Sequence, residues 1–448
     1  MPDPRPRSDD RILESPIAAT WRSIQHEKAV LVGIGPGIRE EDLDELAALA
    51  ASAGAEPVGR VVQSRGEPDH QYWIGKGKVE ELHELVHRNG AELVIFDDEL
   101  SPGHLRSLES RLKVKVLDRT ALILDIFALH AHTREGKAQV ELAQLNYLLP
   151  RLRGWGEAMS RLGGGIGTRG PGETKLEIDR QHIRRRITKL RRDVKELWKV
   201  RDVKRARRQR ANVPGVAIAG YTNAGKSTLM RRLTGADVIV ADQLFATLDP
   251  TTRRVQMPGG RRATISDTVG FVSKLPHDLV EAFRSTLEEV TLADLVVHVA
   301  DAASPEVEAQ IDAVRRVLAE IGAANIPEVL VLNKIDRIPG SERARLARRL
   351  PGAVPVSALT GEGVDGLLAT IGESLPMPPV EVDALVPWDR GDLVAMLYRE
   401  AEVLKAEAEP EGTRVLARVG LRELAAIRPF LVRPAPRSTT GHRRSSAP

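Results

Sequence analysis

Apolar and polar positions follow two rhythms along this chain, and the change between them divides it. From Lys28 onward, short apolar runs alternate with amphipathic stretches. Ala29–Gly33, Pro57–Gln63, Glu92–Phe96 and Val114–Leu117 predict strands; Glu40–Ala53 (stopped by Gly54), Val79–Arg88 and Pro102–Leu112 predict helices. Strands alternating with helices predict a small α/β domain over residues 28–130 with a largely parallel sheet. The rhythm then lengthens. Ala138, Leu142, Leu145, Leu149 and Leu152 step by 4, 3, 4 and 3, as do Ile183, Ile187, Leu190, Val194 and Leu197. Two such seams predict an antiparallel helical hairpin over 131–212, zipped like a coiled coil. Its tip, Arg161–Gly172, holds six glycines, which are costly to order and suit a segment that orders against a partner. The first rhythm returns at about 213–376, where buried-strand runs precede polar motifs. Pro376–Pro379 reads as a linker, and 377–433 alternates one strand-like, one helical and two strand-like segments, a small C-terminal α/β domain. Residues 1–27 read as a flexible N-terminus and 434–448, rich in Pro, Ser and Arg, as a disordered tail.

Charge sharpens this picture at one place. The chain of 448 residues carries +4 overall, yet Arg180–Arg210 holds 15 Lys/Arg against three acids, a local +12. A cationic rod of that density suits a phosphate backbone, with counterion release on binding. Trp155 and Trp198 are its nearby aromatics, which argues against a base-stacking groove and for shape and phosphate contacts with folded RNA. Arg161, Gly164, Arg169, Arg184, Arg185, Arg186, Arg191 and Arg192 are the candidate RNA-facing residues. The absence of Cys excludes disulfides and thiolate metal sites and suits a reducing cytosol. No apolar run approaches the ~20 residues that span a bilayer, and Met1–Ser8 lacks the apolar core of a signal peptide. A monomer is expected.

The chemistry lies in the third region. Gly220-Tyr-Thr-Asn-Ala-Gly-Lys-Ser227 fits G-x-x-x-x-G-K-[ST], with the strand run Val216–Ala219 before it and a helix opening after it. Strand, loop and helix are the setting in which main-chain N–H groups of residues 220–228 wrap a β-phosphate. Gly220 and Gly225 supply backbone freedom; Lys226 would reach the β- and γ-phosphates, and Ser227 would take one Mg²⁺ position, with Tyr221, Thr222, Asn223, Ala224 and Thr228 completing the loop. Strand Ala263–Ser266 runs into Asp267-Thr-Val-Gly270. Asp267 can hold Mg²⁺ through water, the Gly270 N–H can meet the γ-phosphate, and Thr268 and Val269 lie between them.

Strand Val329–Leu332 runs into Asn333-Lys-Ile-Asp336. A carboxylate at Asp336 can accept from the two guanine donors that adenine lacks, Asn333 can brace the loop, and the Lys334 stem can cover the base beside Ile335. Val354–Val356 leads to Ser357, Ala358 and Leu359, whose backbone can meet the guanine oxygen. Order and spacing together specify a guanine nucleotide. A γ-phosphate sensor needs a hydroxyl on a mobile loop; Thr247 is the choice, with Thr251 and Thr252 as rivals. Lys226, Thr247 and Gly270 are thus the candidate catalytic set, with Ser227, Thr247 and Asp267 the Mg²⁺ set. Phe271 stands where many GTPases keep a water-orienting glutamine, so intrinsic hydrolysis should be slow unless another group, or a partner, positions the nucleophile. Gly33–Gly37 and Gly75–Lys78 read first as turns and only second as phosphate or anion sites.

Gly164–Glu177, Phe245–Thr251 and Tyr72–Lys78, with the guanine motifs, resemble the HflX family of ribosome-associated GTPases over about residues 28–430. The resemblance implies an α/β P-loop GTPase that is cytoplasmic and Mg²⁺-dependent, binds GTP and GDP, and binds the large ribosomal subunit and its RNA. It implies the splitting of stalled or idle ribosomes, with hydrolysis stimulated by the ribosome. It makes Thr247 the switch hydroxyl and lines the nucleotide with Phe245, Ala246, Thr247, Leu248 and Asp249. Lys175 and Gln181 depart from the family pattern in the RNA-facing element. A GTP-gated protein-binding switch and an ATP-driven RNA remodeller are the alternatives.

Overall fold

A computed structural model describes residues 24, 26–152, 171–210, 214–235, 244–245, 251–257, 262–274, 284–376 and 380–432. The N-terminal region builds a four-stranded sheet from β1 (Lys28–Gly35), β2 (Glu56–Ser64), β3 (Leu93–Phe96) and β4 (Lys115–Asp118), in the order β2-β1-β3-β4. All its pairings are parallel. Parallel strands need crossovers, and these are α1 (Asp44–Ser52), α2 (Lys76–Asn89) and α3 (Pro102–Leu112). The stretch expected as one helix over 40–53 opens instead as a 3₁₀ turn, Glu40–Leu43, before α1.

Helix α4 (Arg119–His130) is missing from the hydrophobic pattern for a physical reason. Residues Arg119 to Leu124, Ile126 and Phe127 are all buried, so no polar face exists to reveal a period. The helix is capped by Asp118, whose carboxylate accepts the Ala121 N–H at 2.8 Å. Helices α5 (Arg134–Arg151) and α6 (Pro171–Arg210) carry the two period-3.5 seams. Leu148, Leu152, Ile183 and Ile187 are buried together, with Leu142, Leu145 and Leu149 packed beside them. The glycine-rich tip, with Arg161, Gly164 and Arg169, lies outside the described residues apart from the start of α6.

The central region is a six-stranded sheet in the order β10-β9-β8-β5-β7-β6. It comprises β5 (Gly215–Gly220), β6 (Thr252–Gln256), β7 (Arg262–Asp267), β8 (Leu295–Asp301), β9 (Glu328–Asn333) and the two-residue β10 (Val354–Pro355). Only β6 runs antiparallel, against β7. Strand β6 arises in a stretch whose polar residues hide a strand, because its burial is limited to Val255. Every parallel strand therefore ends at one edge, where the four motifs gather. A second compact unit holds the C-terminal residues. There β11 (Val380–Pro387), β12 (Glu402–Glu409) and β13 (Gly412–Val419) form an antiparallel sheet in the order β11-β13-β12. The helix Gly391–Glu400 and a further one at Leu421–Ile427, absent from the sequence pattern, pack on it.

Candidate nucleotide-binding site

The loop between β5 and α7 (Lys226–Thr234) takes its shape from two glycines. Gly220 has φ +154°, and a Cβ there would come within 2.2 Å of the Val299 carbonyl oxygen. Gly225 has φ +90°, and its Cβ would meet Asn333 Nδ2 at 2.3 Å. Both positions exclude a side chain on conformation and on space. Asn223, at φ 57°, supplies a further left-handed residue of the kind Asn tolerates. Lys226 is buried and donates to the carbonyls of Gly220 at 3.1 Å and Tyr221 at 2.8 Å. Burial pushes its ammonium down to about 8, with Asp267 pulling the other way.

Across the loop, Ser227 Oγ donates to Asp267 Oδ2 at 2.9 Å, which unites the two side chains assigned to Mg²⁺. Asp267 is fully buried and accepts the Thr268 N–H at 3.0 Å. The Thr268 hydroxyl donates to the Ile218 carbonyl at 2.7 Å, so Thr268 ties β7's end to β5 rather than facing a ligand. A hydroxyl beside a buried carboxylate is a donor set that suits a hard cation, and the same loop holds a buried Thr222 Oγ1 that has no hydrogen-bond partner among the described residues.

The guanine motifs are wired into the same loop. Asn333 Nδ2 donates to the Ala224 carbonyl at 2.8 Å, and its Oδ1 accepts the Ala358 N–H at 3.0 Å. Ala358's amide thus serves Asn333 in this arrangement. Ser357 Oγ donates to Asp336 Oδ1 at 2.6 Å, fixing one of that carboxylate's oxygens. Lys334 sits at φ 64°, with Nζ 2.7 Å from Asp301 Oδ2. Asp301, at the end of β8, belongs to the site although no motif names it; the apolar run Leu295–Ala300 was the available signal. Arg232 on α7 donates to the carbonyls of Ala358 and Leu359, and no sequence pattern announces it. Ile335 is buried, while Leu359 is exposed.

Phe271 turns away from the phosphate edge. Its ring is buried in the cluster of Tyr221, Leu287, Val290 and Val296. Its N–H donates to the Gly220 carbonyl at 3.1 Å, and its carbonyl accepts the Thr222 N–H at 2.6 Å. Val269 packs into the N-terminal core. So does Phe245, whose ring stands edge-on to Phe127 at 4.7 Å between centroids. The Phe245 side chain, expected to line the nucleotide, is therefore committed to α4. Ala246, Thr247, Leu248 and Asp249 lie outside the described residues.

Family models match almost the whole chain. They are a GTP-binding GTPase N-terminal region at 40–128, a GTP-binding GTPase middle region at 130–208, a 50S ribosome-binding GTPase at 215–334 and an HflX C-terminal domain at 343–426. The GTPase HflX of Caldanaerobacter subterraneus subsp. tengcongensis is 47% identical over 411 residues, covering 91% of this chain and 94% of its own. That of Escherichia coli K12 is 46% identical over 376 residues, covering 83% and 88%. The chain belongs to the HflX family of GTPases. Its activity is accordingly GTP hydrolysis on a P-loop fold. Among solved structures, a GTP-binding protein of Sulfolobus solfataricus in complex with GDP is similar at 25% identity and a TM-score of 0.41, covering 78% of this chain and 98% of its own. No helix among the described residues is long and apolar enough to cross a membrane.

Proposed function

We propose that this GTPase binds the large ribosomal subunit through its basic helix and, in the GTP state, separates stalled or idle ribosomes into subunits. The observation that carries the reading is the outer face of α6. Arg184, Arg185, Arg191 and Arg192 are exposed there, while Ile183, Ile187, Leu190 and Val194 turn inward. Arg186 does not join that face. Half-buried, it forms a two-pronged pair with Glu141 of α5 at 2.6 and 2.8 Å, and so serves the hairpin rather than RNA. The description of the 215–334 match and the family of the relatives support the ribosomal partner and a cytoplasmic setting.

The nucleotide half of the mechanism follows from the loop. Main-chain N–H groups of residues 223–228 and the Lys226 ammonium neutralise phosphate charge, and Gly270 offers its N–H to the γ-phosphate. Ser227, and Asp267 through water, would hold Mg²⁺, with Thr247 joining in the triphosphate state, and the ion would supply neutralisation of phosphate charge. Asp336 reads the guanine edge and Asn333 keeps the base motif locked to the phosphate loop. With Phe271 in the core, no side chain at that position orients a water, so hydrolysis alone is slow and ribosome binding accelerates it.

Sedimentation through sucrose tests this directly. Protein loaded with a non-hydrolysable GTP analogue should travel with large subunits at low salt, convert intact ribosomes to subunits, and dissociate as salt rises. GDP-loaded protein should remain near the top. Equal co-sedimentation of both forms, or binding indifferent to salt, would rule the reading out.

A further inference from the structure

The loop that reads the base is suspended from little backbone. It follows β10, a two-residue edge strand paired with β9 through Val354↔Val331 and Pro355↔Leu332. The Val356 N–H adds one bond, to the Leu332 carbonyl at 2.9 Å. Beyond Val356 the loop closes on itself. The Ser357 N–H donates to the Glu362 carbonyl at 2.9 Å, the Gly361 N–H to the Ser357 carbonyl at 2.8 Å, and the Thr360 N–H to Ser357 Oγ at 3.1 Å. Those bonds set the loop's shape but not its place relative to the phosphate loop.

Two side chains supply that place. Asn333, named by its motif, reaches the Ala224 carbonyl and the Ala358 N–H. Arg232 is the other. From the last turn of α7, its Nε donates to the Ala358 carbonyl at 3.2 Å and its Nη2 donates to the Leu359 carbonyl. The guanidinium also lies against Gly361, where a Cβ would stand 3.7 Å from its central carbon. A planar, permanently charged fork fixes direction as well as distance. Arg231 shares that turn and makes no bond to the loop among the described residues, so the contact goes beyond the general preference of a helix C-terminus for cations.

Helix α7 opens at Lys226, on the phosphates, and carries Arg232 about 9 Å further along its axis. One rigid rod thus holds the phosphate end and the base end of the site together. In a trans peptide the N–H points away from the C=O. With the Ala358 carbonyl drawn to Arg232, the Leu359 N–H faces the opposite way, and it has no hydrogen-bond partner among the described residues. We propose that Arg232 is a positioning residue for base recognition: it holds residues 358–359 so that a main-chain N–H of this loop meets the oxygen on C6 of guanine. Asp336 reads the ring N–H and the exocyclic amine, and the brace serves the oxygen beside them.

The inference rests on the guanine-nucleotide reading but not on the ribosomal one. It is tested on the full chain by titrating GDP, 6-thioguanosine diphosphate and inosine diphosphate into wild type, Arg232→Met and Arg232→Gln. Sulfur in place of the C6 oxygen accepts a hydrogen bond poorly, and inosine lacks the amine that Asp336 reads. Wild type should bind the sulfur analogue about three- to tenfold more weakly than GDP, the range of one neutral hydrogen bond. In Arg232→Met, GDP affinity should fall by about that factor and the analogue's by less than about twofold, so that the sulfur penalty nearly vanishes. The preference for GDP over inosine diphosphate should stay within about twofold of wild type, which reports that the fold and Asp336 stand. Equal losses for GDP and the sulfur analogue would mark Arg232 as merely structural and overturn the inference, as would unchanged GDP affinity. A wild type indifferent to sulfur yet preferring GDP to inosine diphosphate would overturn the brace alone; indifference to both would remove the guanine reading itself. Should Arg232→Met fail to fold, Arg232→Gln, which keeps a polar group but not the charged fork, is read on the same ratio.

Discussion

Asp336 and Lys226 show how single side chains carry this site. With one oxygen of Asp336 occupied by Ser357, the carboxylate is oriented before any base arrives. Asp336→Asn replaces an acceptor with a donor, so GTP affinity should fall by at least about tenfold, the value of one good hydrogen bond to a charged group. Xanthosine triphosphate, which has an oxygen where guanine has its amine, should gain affinity in the same variant; competition between the two nucleotides measures both. Lys226 gives a pH signature. Its folded-state value of about 8 lies below the ordinary 10.5, so the unfolded chain holds the extra proton between those limits. That one group therefore makes stability fall as pH drops from 10.5 to 8 and rise in the other direction. Nucleotide binding needs the charged form, so affinity should be level to about pH 8 and then fall by up to about tenfold per unit. Fluorescence titrations with GDP from about pH 7 to 9 check it; a flat profile would mean that Lys226 keeps its proton without the phosphate. Tyr221 behaves differently: burial and the Glu45 carboxylate raise its phenol well above the ordinary value, which keeps it a hydrogen-bond donor. Lys274 loses some charge preference to burial, but Asp97 and Asp98 more than restore it.

At the scale of elements, α6 does two jobs on two faces. Its inward face zips to α5, and its outward arginines present charge. Neutralising Arg184, Arg185, Arg191 and Arg192 one at a time to Ala should weaken ribosome binding and flatten its salt dependence. The slope of log affinity against log salt should change by about 0.7 to 0.9 for each phosphate that is no longer neutralised. Arg186→Ala should instead loosen the hairpin, with a smaller effect on the slope, because its partner is Glu141. Binding measured across a salt series separates the two. The heptad seams were legible because a helix pair with one wet face must write its period into the sequence. Helix α4 was not, since burial on every side leaves no contrast, and β6 was not, since an edge strand with one buried residue leaves too little.

At the scale of the molecule, the N-terminal and nucleotide-binding regions share more than a linker. Val269, Val272, Leu244 and Phe245 are buried in the same cluster as Phe127 and the apolar residues of α1 and α4. Buried apolar surface supplies the attraction, and the carboxylates of Glu45 and Asp97 with Arg119 supply the register, because a buried charge left unpaired is costly. The backbone that follows β7 thus leans on the core of the N-terminal region.

The sequence alone determined the ligand and the order of the parts. Phosphate loops and base-reading loops depend on fixed residue types at fixed local spacing, and local spacing is what a sequence displays. It determined the basic rod for the same reason, since charge density needs no fold to be counted. Only the tertiary structure decided that Asp301 partners Lys334, that Arg186 turns inward, that Phe245 belongs to α4, and that Lys274 pairs with Asp97. Those pairings join residues up to 177 positions apart, as Asp97 and Lys274 are. They exist only because folding brings distant elements together, strand beside strand, helix against helix and one sheet's edge against another's, and nothing periodic or local along the chain records those meetings.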